Sequence, residues 1–202
     1  ALVPGGLSPS PFARATSDLV DQHGTQVTVV EPGLLKDYGG QAEFAGQIET
    51  LQAFEGMGLV EQMINSPGQN KVLVVDGGGS LRSAVFDVNL AQAAQRNGWR
   101  GVIIHGAVRN ARGLAGVGFG VKAVGTSPIK GQSVQGNRGA GVQFGGVQFS
   151  PGWFVYADRD GVVVSQRDLS STVPAIPAAA GGAVGAVGAA APGAPMGGSS
   201  LY

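Results

Sequence analysis

At 202 residues the chain suits one domain with extensions, and 13 basic against 13 acidic residues leave it formally neutral. A neutral balance without a basic cluster argues against direct nucleic-acid binding, which needs several phosphate contacts. With no cysteine, disulfides, thiolate chemistry and cysteine metal sites are excluded. No apolar run approaches the ~20 residues of a membrane span.

Residues 1–15 open on a Pro/Gly/Ser-rich stretch and read as an irregular arm. Thr16 and Ser17 can cap a short helix that stops at Gly24. A strand is expected over Gln26 to Val30 and a long one over Gln41 to Phe54, where Phe44, Gly46 and Ile48 alternate with Glu43, Gln47 and Glu49. Leu59 to Ile64 reads as a short amphipathic helix closed by Ser66–Pro67–Gly68. Val72 to Val75 is an unbroken aliphatic run, as in strands buried on both faces. Ser80 can cap a following helix, along which Leu81, Ala84, Val85, Val88 and Ala91 keep the three/four spacing of a stripe facing a sheet. Gly98 stops it, and Gly101 to Ile104 is a second buried strand. Strand, helix and strand predict a parallel crossover. Beyond it the chain is β-rich, with runs at Phe119 to Val124, Val142 to Phe149, Phe154 to Ala157 and Val162 to Ser165. The fold class is therefore α/β, a βαβ core followed by a meander, over residues 16–174. Residues 175–202, rich in Ala, Gly and Pro, carry no charge and too few large side chains to offset the entropy of ordering.

Asp76–Gly77–Gly78–Gly79–Ser80 follows a strand and can present backbone N–H groups to an anion, or can simply be a tight turn. It is neither GxGxxG nor a P-loop. Asp87 and Asn89 fall near the middle of the predicted helix, facing either a cleft or solvent. Arg109 follows a buried strand, where ligand groups gather in α/β sheets, and its guanidinium can grip a carboxylate bidentately. The alternative is an internal pair with Asp87. His105 reads as a packed histidine, and it is too far from His23 for an HExxH-type metal pair. Gly116–Gly120 precedes its strand and so is no nucleotide loop. Gly145–Gly146 reads as a bend or bulge, and Asp158–Arg159–Asp160–Gly161 as a hairpin turn.

Four segments resemble one family: YGGQAEFAGQIETL at 38–51, VLVVDGGGSLRSAVFDVNLA at 72–91, GWRGVIIHGAVRN at 98–110 and FGGVQFSPGWFVYADRDGVVVS at 144–165. It is the RraA family, which holds the regulator of ribonuclease E activity A and the class II 4-hydroxy-4-methyl-2-oxoglutarate aldolases, with their oxaloacetate decarboxylase activity. The resemblance runs from about Thr16 to Ser165. It implies a ββα "swivelling" domain assembled as a ring-shaped homotrimer, or a pair of trimers. In the aldolases it implies a cleft between subunits in which a helix segment and an arginine hold the pyruvyl part of the substrate. An aspartate after that arginine holds a divalent metal, Mg²⁺ or Mn²⁺, that stabilises the enolate.

Carried over by position, the helix segment is Asp87, Val88, Asn89 and Leu90, and the arginine is Arg109. The metal position is Asn110, a neutral amide where a hard cation favours carboxylate oxygens. Val88 stands where the family often has aspartate, and Gly113 where an acidic residue is expected. With no catalytic residue assigned, the resemblance points to the regulator branch, with a ribonuclease E-type enzyme or another protein as partner. The alternatives are a metal-dependent aldolase or oxaloacetate decarboxylase and, third, a structural subunit of a larger assembly. The absence of cysteine and of a signal sequence suits a reducing interior, cytoplasmic or organellar, the chloroplast included.

Overall fold

The fold is given by a computed structural model that describes residues 14–170. The expectations for the arm before Arg14 and for the tail beyond residue 174 lie outside the described residues. One large mixed sheet organises the chain. Its elements are α1 (Thr16–His23), β1 (Val27–Val29), β2 (Lys36–Asp37), β3 (Phe44–Ala53), α2 (Gly58–Ile64), β4 (Val72–Asp76), β5 (Ala84–Phe86) and α3 (Val88–Arg96). There follow β6 (Gly101–Val108), α4 (Ala111–Ala115), β7 (Gly120–Thr126), β8 (Gly136–Arg138), β9 (Val142–Phe144), β10 (Val147–Phe149), β11 (Phe154–Ala157) and β12 (Val162–Ser165). The strand order is β1-β12-β11-β3-β4-β6-β7-β2, with β5 added beside β6 and β8 beside β3. The central pairs β3–β4, β4–β6 and β6–β7 are parallel, and β11–β3 is antiparallel. This is the expected α/β class, with the predicted parallel crossover at its centre.

The aliphatic runs explain that centre. Val72, Leu73, Val74 and Val75 are all fully buried, as are Val102, Ile103 and Ile104. Alternate residues feed opposite layers. Leu73, Val75, Val102 and Ile104 pack with α2 and α3, whereas Val72, Val74 and Ile103 pack with Phe44, Phe144 and Phe149. A strand covered on both faces gains from apolar residues at every position. Phe44 locks this second layer, because its ring lies over the two glycines that open β6 and β7. A Cβ on Gly101 would come 2.4 Å from that ring, and one on Gly120 would come 2.2 Å from it.

Three sequence expectations are corrected by packing. The helix expected from Ser80 does not form there. Residues 84–86 make strand β5, since Ala84 N–H donates to Ile129 O (2.7 Å), Gly131 N–H donates to Ala84 O (2.9 Å), and Phe86 lies opposite Val108 of β6. Ser80 instead donates to Glu55 Oε1 (2.9 Å). The run Val142 to Phe149 is two strands. Gly145 and Gly146 have φ of 59° and 73°, the pair of left-handed residues that a two-residue hairpin turn requires. At α1, neither Thr16 nor Ser17 serves as N-cap. Ala15 takes that position, and Thr16 N–H and Oγ1–H donate to the two oxygens of Asp158 (2.8 and 2.7 Å). The same carboxylate accepts from Asp160 N–H and Gly161 N–H, so the expected 158–161 turn also anchors α1.

Tyr156 closes the sheet's far side. Its hydroxyl donates to Asp168 Oδ1 (3.2 Å) and accepts from Leu169 N–H (2.7 Å). Burial pushes the phenol up to about 12. Folding thus favours neutral tyrosine. Stability from this group is complete below the ordinary tyrosine value near 10 and is lost as pH rises from there through about 12. Urea midpoints measured across that range are expected to fall, and Tyr156→Phe is expected to flatten the fall. The variant should also cost about 1–3 kcal/mol at neutral pH, because the buried Leu169 N–H loses its acceptor.

Candidate functional site

Parallel strands end together at one edge of the sheet. There Arg109 N–H donates to Phe86 O (3.0 Å) and Ser127 N–H donates to Val108 O (3.0 Å), drawing the ends of β5, β6 and β7 side by side. A cleft of about 370 Å³ opens at this edge, lined by Asp87, Val88, Asn89, Arg109, Asn110 and Pro128. It lies at the carboxyl ends of the strands, the usual ligand position of an open α/β sheet.

Asp87 and Asn89 are not at mid-helix. Asp87 is the N-cap of α3, and its Oδ1 accepts from Leu90 N–H at 3.0 Å. That hydrogen bond replaces an N–H partner the first turn otherwise lacks. The correction matters for chemistry, because a helix start, not a helix face, borders the cleft. The first-turn amides of Val88 and Asn89 stand there with the positive end of the helix dipole. Leu90 has its side chain in the core, so of the four-residue segment it contributes backbone only.

Arg109 is half-buried, and no carboxylate among the described residues lies within ion-pair distance of it. The internal pair with Asp87 weighed from sequence is not formed. The cleft therefore presents an uncommitted guanidinium beside a helix start, a combination suited to a carboxylate.

Asn110 adopts the left-handed conformation, with φ 61° and ψ 47°, and begins α4. Its side chain folds over that short helix. A Cβ built on Gly113 would lie 3.0 Å from Asn110 Oδ1 and 3.3 Å from Val88 Cγ2. Positions 88, 110 and 113 therefore converge in space, and here they are an alkyl group, an amide and a hydrogen. The nearest carboxylate in the lining is Asp87, with one oxygen already spent on its cap. No cluster of three or more His, Asp or Glu able to hold a metal ion occurs among the described residues. At the position after Arg109 the cleft offers a neutral amide oxygen, where a hard divalent cation favours a carboxylate, so the donor set fits such an ion poorly.

The Gly-rich turn lies outside the cleft and spends its amides internally. Gly77 and Gly79 N–H donate to His105 O (2.9 and 3.0 Å), and Gly78 N–H donates to Asp76 Oδ1 (2.9 Å). It is the tight turn, not an anion cradle. His105 is packed as expected, stacked on Phe144 with centroids 4.7 Å apart, its Nδ1 3.1 Å from Asp76 Oδ1. Burial raises the Asp76 pKa, but hydrogen bonds from His105 and Gly78 N–H and the His105 charge outweigh it, leaving the carboxyl below its ordinary value. The resulting stability is complete above the unfolded value near 3.9 and is lost as pH falls through the lower folded one. Asp76→Asn is expected to shallow the acid limb of a urea-midpoint profile below about pH 4 and to leave the neutral region free of that acid dependence.

The chain belongs to the RraA-like (Aldolase/RraA) family, whose model matches residues 16–164. A protein of Aromatoleum aromaticum, provisionally named a 4-hydroxy-4-methyl-2-oxoglutarate aldolase, is 45% identical over 159 residues, 76% of this chain and 97% of that protein. A crystal structure from Geobacillus kaustophilus, described as an S-adenosylmethionine:2-dimethylmenaquinone methyltransferase, is 42% identical with a TM-score of 0.75, covering 77% of this chain and 97% of that one. The RNA-processing inhibitor RraA from Thermus thermophilus is 38% identical with a TM-score of 0.73, covering 76% and 93%. One fold thus carries three functional names, so the site must discriminate among them. No helix among the described residues is long and apolar enough to cross a membrane.

Proposed function

We propose that this chain is a regulator of the RraA type, which binds a ribonuclease E-type enzyme by protein contact and has a carboxylate-holding cleft without metal-dependent lyase chemistry. The observation that carries this reading is the neutral convergence of Val88, Asn110 and Gly113 beside Arg109. Arg109 and the start of α3 keep the means to hold a carboxylate. The acids that would anchor a cation, or move a proton, are absent from the three converging positions. A metal that stabilises an enolate contributes several kcal/mol in related chemistry, so its loss leaves binding without turnover. The likeness to an RNA-processing inhibitor supports the regulator branch. Exposed Ile129 and Val134, which follow the cleft residue Pro128, supply apolar surface for a protein partner or for a second copy in a trimer.

The aldolase reading draws on the names of relatives 42–45% identical to this chain. Pyruvate release from 4-hydroxy-4-methyl-2-oxoglutarate and from oxaloacetate, with Mg²⁺ or Mn²⁺ added, separates the two. The unmodified chain is expected to show no chelator-sensitive turnover. Asn110→Asp, alone and with Val88→Asp, is expected to introduce it. In parallel, a ribonuclease E-type enzyme should be slowed by saturating protein. Brisk metal-dependent turnover by the unmodified chain, or unchanged cleavage at saturation, would count against the proposal.

A further inference from the structure

The turn before β4 lies where the parallel strands begin, at the end of the sheet opposite the Arg109 cleft. Lys71 N–H donates to Gly68 O (2.9 Å), and the two residues between, Gln69 and Asn70, both have positive φ, 51° and 61°. Asn-Gly or Gly-Gly pairs ordinarily fill such a turn. Glutamine followed by asparagine makes it at a cost in backbone energy, and outliers of this kind gather where a binding function holds them. Asn70 N–H donates to Gly98 O (2.9 Å), and Asn70 O packs on Gly46, where a Cβ would come within 2.6 Å of it. The turn is therefore fixed. Both of its amide side chains are exposed, with no hydrogen-bond partner among the described residues.

These amides border a cavity of about 230 Å³ whose other accessible walls are Gln47, Phe154 and Asp168. Gln47 and Asp168 are exposed, and Phe154 is half-buried. The two polar groups fixed in place offer acceptors. Gln47 Nε2–H donates to Gly152 O (3.2 Å), which leaves its Oε1 open. Asp168 Oδ1 accepts from Tyr156 O–H (3.2 Å) and from Ser170 N–H (2.8 Å), which leaves Oδ2 open. Asp168 is the one charged side chain of the lining. Burial raises its pKa, but hydrogen bonds from Ser170 and Tyr156 outweigh that and keep the carboxyl below its ordinary value. Arg14 turns its guanidinium to Ser170 O (2.6 Å) and is not in the lining.

We propose that this cavity is a second binding site, for an organic cation of the alkylguanidinium or alkylammonium class. Its N–H groups donate to the open oxygens of Asp168 and Gln47, and its charge rests against the Phe154 ring. Charge-assisted hydrogen bonds to a carboxylate are the strong ones, and an aromatic ring attracts a cation. The Gln69 and Asn70 side chains add carbonyl oxygens for the remaining donors. An anion would meet the Asp168 charge, and a neutral polyol would leave that charge unmatched. A cavity below the ~300 Å³ of drug-sized sites limits the occupant to the charged head and a short chain. That head belongs either to a free molecule or to a side chain of a partner protein.

The probes are butylguanidinium, butylurea, methyl glucoside and an end-capped glycyl-arginyl-glycine peptide, titrated calorimetrically into the full chain. Butylguanidinium is expected to bind saturably and to shift the side-chain amide resonances of Gln47, Gln69 and Asn70. Butylurea, of similar shape but uncharged, should bind at least about tenfold more weakly, as for the loss of a charge-assisted hydrogen bond. Asp168→Asn should weaken butylguanidinium by a similar factor while keeping an oxygen for Tyr156 and Ser170, and Phe154→Leu should weaken it about threefold. Arg109→Ala should leave the affinity unchanged. Tighter binding of the peptide than of butylguanidinium would support the site with a protein side chain as occupant, and weaker binding would support it with a free molecule. Absence of saturation with butylguanidinium, equal binding of butylurea, or equal binding of methyl glucoside would overturn the site. The butylguanidinium–butylurea comparison needs no substitution, so it stands if Asp168→Asn or Phe154→Leu fails to fold.

Discussion

Arg109→Ala is expected to weaken the binding of a small oxoacid in the cleft by roughly 10- to 150-fold, the range for losing a charge-assisted hydrogen bond. Calorimetric titration with pyruvate or oxalate reads this directly. The size of the effect follows from the cleft's electrostatics. Arg109 has no internal carboxylate partner among the described residues, so its charge is available in full to a ligand. Removing it leaves only the dipole at the start of α3, which contributes far less. Arg109→Lys should fall between, since an ammonium keeps the charge but lacks the planar fork. Fold stability should hardly change, because the guanidinium supports no neighbour. Equal affinity in the wild type and in Arg109→Ala would remove the cleft's role in anion binding.

Phe44→Ala should produce the largest loss of stability, about 3–5 kcal/mol, as for other buried aromatic truncations. That is a large part of the 5–15 kcal/mol that holds a typical domain together. Phe44 is 1% exposed and fills the space left by the hydrogen side chains of Gly101 and Gly120. Neither glycine can enlarge to refill the cavity. Urea denaturation should show a lower midpoint with an unchanged slope. A loss under about 1 kcal/mol would mean that the second layer collapses onto the vacancy.

Much of the scaffold was legible from pattern alone. The aliphatic runs at 72–75 and 101–104 suited strands covered on both faces, and they became the parallel centre. Period failed where a segment was short. Leu81, Ala84, Val85, Val88 and Ala91 fit one helical stripe, yet Ala84–Phe86 became a strand, because partners in β6 and the 129–131 loop supplied its hydrogen bonds. Asp87 was the available signal. Read as an N-cap, it marks the start of α3 and moves Asn89 from a helix face to a helix start.

By itself the sequence determined which chemical groups are present: an arginine after a buried strand, an amide after that arginine, and no cysteine anywhere in the chain. Those are properties of covalent composition and short-range order, and no packing can alter them. Tertiary structure decided which groups meet. It brought Val88, Asn110 and Gly113 together from two helices, turned the amides of the Gly-rich loop inward onto His105, and set Arg100 and Arg109 at opposite ends of one strand. Such juxtapositions depend on parallel strand register and on the burial of both sheet faces. These arise from contacts far apart in the chain, and local periodicity carries no record of them.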